Sequence, residues 1–272
     1  MWRCGAERLR WPYRSGAMAK PLLLAQLSDL HIGAEWEGLD PAPRLQRVVE
    51  ALLSLPNQVD AVIITGDVAA DGRPADYALA RELLDPLPMP VHALPGNHDD
   101  RAELRRAFRL PGEGAEPINY TAEVGSLKVV AFDSTGPGQD FAELSPGQLG
   151  WLDRALGEEP ERPTLLAMHH SPLATGIEEW DGVNMPAAAR AALGEVLAAH
   201  PQVRAVVGGH LHRVAASSLA GRPVLSAPST YLQARPNFAT EAVELDGEPP
   251  GFALYALLDG ELSSQVESVP TR

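Results

Sequence analysis

Short apolar runs alternate with amphipathic stretches along most of the chain. Residues 21–29, "PLLLAQLSD", hold an apolar run broken only by Gln26, of the kind found in a buried strand. Residues 42–55 place Leu45, Val48, Val49, Leu52 and Leu53 at helical spacing. The alternation continues, with strands predicted over 60–67, 90–97, 127–134, 163–171 and 203–210. Helices are predicted over 75–87, 100–108, 145–158 and 184–200. Ser145 followed by Pro146 reads as an N-cap and the first helical position. Past residue 210 the helical spacing stops, and "VAASSLAGRPVLSAPS", "ATEAVEL" and "GFALYALLDGELSSQVESV" read as strands joined by tight turns. Asp259-Gly260 is a hairpin signal, since both residue types accept a left-handed turn. Alternating β and α followed by β alone predicts an α/β (α+β) protein, a four-layer αββα sandwich of two packed mixed β-sheets flanked by helices. Residues 18–272 show no repeat and no long linker and read as one domain.

Residues 1–17 carry four Arg against one Glu and have no apolar centre, so they lack the apolar stretch of ~7–15 residues that a secretory signal needs. They are expected to be a mobile extension. At 45% hydrophobic and 21% charged, the 272 residues are ordinary globular material. A net charge of −14 argues against a nucleic-acid or anionic-membrane binder, which needs a basic face. One cysteine, Cys4, permits no intrachain disulfide and fits a cytoplasmic protein. No apolar run reaches the ~20 residues of a spanning helix.

Polar chemistry falls repeatedly where a buried strand ends: Asp29 and His31 in "SDLH", Asp67 in "TGD", Asn97, His98 and Asp99 in "GNHD", Asp133 in "FDS", His169 and His170 in "MHH", and His210 and His212 in "GGHLH". In open α/β sheets those loops form the ligand crevice. Each piece has a plainer reading: a helix cap for Asp29, a turn at Gly66-Asp67, an Asx turn at Asn97, one core and one exposed histidine at 169–170. In His210-Leu211-His212, alternation on an extended segment sends both rings one way and Leu211 to the core. Taken together, imidazole, carboxylate and amide donors without thiolate suit a pair of divalent cations. One shared carboxylate can hold two ions ~3.5–4 Å apart.

The five blocks "DLH", "GD", "GNHD", "HH" and "GHLH" resemble, in order, the pattern of the calcineurin-like metallophosphoesterases, over about residues 22–230. "GNHDDRAELR", "SPGQLGWLDRAL" and "HHSPLATGIEEWD" resemble in particular the bacterial class III cyclic-nucleotide phosphodiesterases and related glycerophosphodiesterases. The resemblance implies one metal at Asp29, His31, Asp67 and His212. It implies a second at Asp67, Asn97, His169 and His210, with Asp67 bridging and the ions Mn, Fe or Zn. It makes His98 the catalytic histidine beside the phosphoryl group, with Asn97 also facing substrate. The implied reaction is hydrolysis of a small-molecule phosphodiester, a 3′,5′-cyclic nucleotide first, by a hydroxide bridging the ions. A glycerophosphodiester or other phosphoester is the alternative substrate, and a non-catalytic binding module the alternative class. A homo-oligomer is compatible with all of these.

Four smaller expectations accompany that reading. Gly96 lets the backbone turn tightly. Asp99 or Asp133 orients a histidine ring, unless Asp99 serves an ion pair or helix cap. Trp180 either stacks on a base or packs internally. Asp71 stands one place away from where the family's pattern puts an Asp that orients the catalytic histidine, and it receives no role.

Overall fold

The computed structural model describes residues 20–239 and 243–270, so the expected extension at 1–17 lies outside the described residues. The chain begins with β1 (Leu22–Leu27), α1 (Pro41–Leu53), β2 (Ala61–Thr65), α2 (Pro74–Leu84), β3 (Val91–Leu94) and α3 (Arg101–Phe108). It continues with β4 (Tyr120–Val124), β5 (Leu127–Ala131), α4 (Pro146–Gly157), β6 (Thr164–His170), α5 (Glu178–Val183), α6 (Ala187–Ala199) and β7 (Val203–Gly209). It closes with β8 (Ala215–Leu219), β9 (Arg222–Ser226), β10 (Gln233–Arg235), β11 (Glu244–Asp246), β12 (Gly251–Leu258) and β13 (Glu261–Ser268).

Two mixed sheets carry the fold. One runs β13-β12-β1-β2-β3, with β1, β2 and β3 parallel; the other runs β4-β5-β6-β7-β9-β8, with β5, β6, β7 and β9 parallel. The period-2 alternation of each strand sends its residues to two different apolar layers. Leu24, Ala61, Ile63, Val129, Leu165 and Val207 meet between the sheets. Their neighbours Ala25, Val62 and Ile64 face outward with Leu45, Val48 and Tyr77 of α1 and α2. On the other side Val130, Leu166 and Val206 pack with Leu152 of α4 and Leu193 and Leu197 of α6. Three apolar layers between four layers of elements are the αββα sandwich read from the sequence.

Local signals explain the element ends. Asp40 accepts from Ala42 N–H at 2.9 Å ahead of Pro41. Ser145 and Gln148 form a reciprocal capping box ahead of Pro146. Asp259 and Gly260, at φ 51° and 82°, make the turn between β12 and β13. Three elements escape the pattern. β4, "YTAEV", is a half-exposed edge strand with only weak alternation, α5 is a six-residue helix inside a stretch that reads as a loop, and β10, "QAR", is too short to show a period. Among the described residues no helix is long and apolar enough to cross a membrane.

Because β1, β2 and β3 are parallel, their carboxyl ends lie at one edge of the first sheet, and those of β5, β6 and β7 at one edge of the second. The loops carrying Asp29 and His31, Asp67, Asn97 and His98, and His210 and His212 all leave from those ends, while His169 and His170 close β6 itself.

Candidate metal centre

The loops are laced together by their backbones. Asp29 N–H donates to Gly66 O at 3.1 Å, His31 N–H to Asp67 O at 2.9 Å, and Ala234 N–H to His212 O at 3.0 Å. Asp29, His31, Asp67, His210 and His212 all sit in the left-handed region, at φ 54°, 46°, 51°, 69° and 47°. An L-residue there costs roughly 1–2 kcal/mol. Such strain concentrates at sites that use it, and it turns these side chains sharply off the strand ends toward one another. The 210–212 segment is therefore not extended as its alternation suggested. Leu211 does go to the core, but His210 and His212 enter different groups of side chains.

In one group, donor atoms of Asp29, His31, Asp67 and His212 all lie within 4.8 Å of one another. His31 Nε2 is 3.0 Å from His212 Nε2 and 3.5 Å from Asp67 Oδ2, and His212 Nε2 is 3.7 Å from Asp29 Oδ1. Beside it, Asn97 Oδ1 is 3.0 Å from His169 Nε2 and 3.1 Å from His210 Nδ1. Asp67 Oδ2 reaches this second group as well, 3.3 Å from His169 Nε2. All seven side chains read as ligands converge, and Asp67 touches both sets.

Hydrogen bonds on the far side of the rings fix what faces inward. A carbonyl oxygen can only accept, so His169 Nδ1–H donates to Thr65 O and His212 Nδ1–H to Leu232 O, each at 2.8 Å. In the neutral ring Nε2 then carries a lone pair, aimed at carboxylate, amide or imidazole acceptors. His31 Nδ1 and His210 Nε2 are buried without a partner. Burial, with help from neighbouring histidines, holds His31 and His210 well below the ordinary imidazole value. Burial also opposes charge on His169, yet the Asp67 carboxylate outweighs it and lifts that ring to about 9. Asp67 itself stays well below the usual carboxylate range: burial works against it, but His169 and His31 prevail. In the metal-free chain the proton on His169 supplies the positive charge facing Asp67. A metal ion would take its place, because buried carboxylate, amide and imidazole groups converge here and histidines pinned by carbonyls are typical metal ligands. The residues fit two divalent ions.

His170 is different. Its Nε2–H donates to Asp140 O at 3.1 Å, and Nδ1 accepts from Ser134 Oγ at 2.9 Å. Both ring nitrogens are occupied, although the ring lies close to His169 and His210. His98 N–H donates to Asp67 Oδ1 at 3.0 Å, and its Nδ1–H donates to Ala70 O at 2.8 Å, leaving Nε2 free.

Three expectations need correction. Neither Asp99 nor Asp133 orients a histidine: backbone carbonyls do. Asp99 accepts from Val68, Ala69 and Gly96 N–H at 2.9–3.1 Å and from Tyr77 Oη at 3.0 Å, clamping the "GD" loop to the "GNHD" loop, while Asp100 caps α3. Asp133 forms a two-pronged pair with Arg101. Gly96 has no positive φ; it is needed because a Cβ there would lie 2.1 Å from Asp67 Oδ1. Trp180, 7% exposed, packs in the outer apolar layer and also lines the cavity over the site.

That cavity, about 270 Å³, has a polar floor of Asp67, Asn97 and four histidines. Most of the remaining lining is a largely apolar arc of Trp36, Trp180, Val183, Val243 and Leu245, with Glu179 among them. Sequence reasoning missed Trp36; its one signal was a large aromatic in the polar run "AEWEG" shortly after His31.

The sequence profile of calcineurin-like phosphoesterases matches residues 22–214. The chain belongs to the calcineurin-like phosphoesterase family. Within that family it is 34% identical over 255 residues to the 3′,5′-cyclic adenosine monophosphate phosphodiesterase CpdA of Pseudomonas aeruginosa, covering 91% of this chain and 90% of that protein. It is 30% identical to a probable glycerophosphodiester phosphodiesterase, GpdQ, of Arcobacter nitrofigilis, covering 86% and 88%. The purple acid phosphatase PPD1 of yellow lupin shares the fold with a TM-score of 0.69 at 14% identity, covering 92% of this chain and 52% of the lupin protein. This calcineurin-like phosphoesterase is thus a metal-dependent phosphodiesterase by family, with a cluster of His and Asp suited to metal.

Proposed function

We propose that the chain hydrolyses a 3′,5′-cyclic nucleotide with two divalent ions, one held by Asp29, His31, Asp67 and His212 and the other by Asp67, Asn97, His169 and His210. The observation that carries this reading is the convergence of these seven side chains, with His98 Nε2 free in the same cavity. Two bound cations supply positive charge for the phosphoryl oxygens and acidify water toward neutral pKa. The chain's own groups do the rest. Asn97 and His98 bind the phosphoryl group. His98, its ring fixed through Ala70 O, protonates the leaving oxygen or steadies charge at phosphorus. The apolar arc excludes water and accepts the non-phosphate part of the substrate. Ser171 has no base beside it, its Oγ being directed to Gly209 O at 3.3 Å, so no serine nucleophile is proposed.

The name of the Pseudomonas relative supports the cyclic nucleotide, and that of the Arcobacter relative keeps a glycerophosphodiester as the second reading. The apolar arc favours the first, because glycerol offers it little to bury. Turnover of bis(p-nitrophenyl) phosphate with added Mn²⁺ tests for chemistry against a binding module. Cyclic AMP, glycerophosphoethanolamine and a phosphomonoester, compared by kcat/KM, then decide the substrate. Preference for either of the last two would overturn the cyclic-nucleotide reading.

A further inference from the structure

Trp36 stands in a 3-10 turn, Trp36–Gly38, between β1 and α1. Its indole is half-buried and lines the cavity beside His98. Ring centroids lie 4.5 Å from His31 and 5.7 Å from His98, but the planes are inclined by 53° and 63°, so neither imidazole stacks flat on it. The turn is held from below. The buried Tyr231 hydroxyl lies 2.7 Å from both Trp36 O and Leu39 O, able to donate to either, and Arg44 Nε donates to Tyr231 O at 2.7 Å. Glu37 and Gly38 adopt left-handed φ values of 54° and 66°. A strained turn anchored on a buried tyrosine holds a large aromatic ring in the cavity beside His98, and such preorganisation lowers the cost of binding.

We infer that Trp36 is a specificity-determining residue, the wall against which the planar base of the nucleotide packs while the phosphoryl group sits at Asn97 and His98. Every base has an apolar π-face, so an indole wall favours nucleotides over aliphatic phosphodiesters without selecting one base. The inference rests on the cyclic-nucleotide reading above.

The test uses the metal-loaded enzyme and the variants Trp36→Ala and Trp36→Phe, with metal content measured for each. The KM for cyclic AMP should rise roughly 10- to 100-fold in Trp36→Ala, as expected when base–aromatic packing is lost, and Trp36→Phe should recover most of it. The inhibition constant of inorganic phosphate, which has no base, should change less than about twofold. If phosphate weakens in parallel, if kcat falls while KM holds, or if metal is lost, Trp36 merely supports His98 or His31 and the inference is overturned. If the wild type hydrolyses bis(p-nitrophenyl) phosphate but not cyclic AMP, the functional reading fails first and takes this inference with it. If the wild type hydrolyses cyclic AMP and Trp36→Ala keeps its KM, this inference alone fails.

Discussion

His98 Nδ1 lies 2.8 Å from the carbonyl oxygen of Ala70, while the next residue, Asp71, turns outward into an ion pair with Arg73. The ring is thus aimed by the main chain and not by a carboxylate. Asp71→Ala should leave kcat/KM within about twofold of wild type, because an exposed ion pair contributes little. His98→Ala should keep both metals and lose roughly 10²–10⁴ in kcat, the range general acids supply. Steady-state kinetics with metal analysis checks both variants, and a tenfold loss in Asp71→Ala would show that the carboxylate takes part.

His169 and His170 are adjacent in sequence and differently bonded, and the proposed centre uses only the first. His169→Ala removes an inward-facing nitrogen next to Asp67 and Asn97. It should cost one metal per chain and nearly all activity. His170→Ala removes the ring's bonds to Asp140 O and Ser134 Oγ, the latter keeping only the His170 backbone N–H, which should cost about 1–3 kcal/mol of stability while both metals stay. Elemental analysis beside denaturant unfolding separates the two, and equal metal loss would refute the distinction.

Gly66 is packed as tightly as any ligand. A Cβ there would lie 2.5 Å from His169 Nδ1 and 2.7 Å from Gly96 N, on a backbone at φ +92°. Gly66→Ala should displace His169, destabilise the fold by roughly 2–5 kcal/mol through overpacking and backbone strain together, and weaken metal binding. Gly138→Ala is the control, with φ +66° and nothing within 4 Å of its Cβ. It should cost only the backbone strain of about 1–2 kcal/mol and leave metal binding unchanged.

Acid should destabilise the metal-free protein through His170. Burial first, and then the neighbouring His169, push its pKa down to about 3. The folded state therefore refuses a proton that the unfolded chain takes up near pH 6.5. The stability from this group is complete above about pH 6.5 and is lost progressively as pH falls toward about 3. His170→Gln should flatten unfolding free energy against pH between about 6 and 4 by up to one proton, or ~1.4 kcal/mol per pH unit. An unchanged slope in guanidinium titrations would contradict the assignment.

The layers and the convergence of the polar side chains were legible for the same reason. A strand buried on both faces and a donor placed immediately after it both leave marks one or two residues wide, as in "AVIITGD". The carbonyls of Thr65, Ala70 and Leu232 leave none, because any residue presents a carbonyl and only tertiary geometry aims it. Asp99 looked like an ion-pair or capping residue because sequence cannot show that three amides and Tyr77 surround it. Gly96 suggested a tight turn, and its reason proved to be Asp67, 29 positions earlier, filling the space of its missing side chain. Trp36 was overlooked because a lone aromatic in a polar loop has no period to mark it.

In the proposed centre Asp67 and six side chains around it hold two cations. Elemental analysis of the Mn²⁺-loaded, dialysed wild type, alongside Asp67→Ala and His169→Ala, counts them. Two metals per chain are expected in the wild type, one in His169→Ala, and at most one, weakly held, in Asp67→Ala. A fully active wild type with one metal per chain, or an Asp67→Ala variant that retains two, would rule out a shared dinuclear centre.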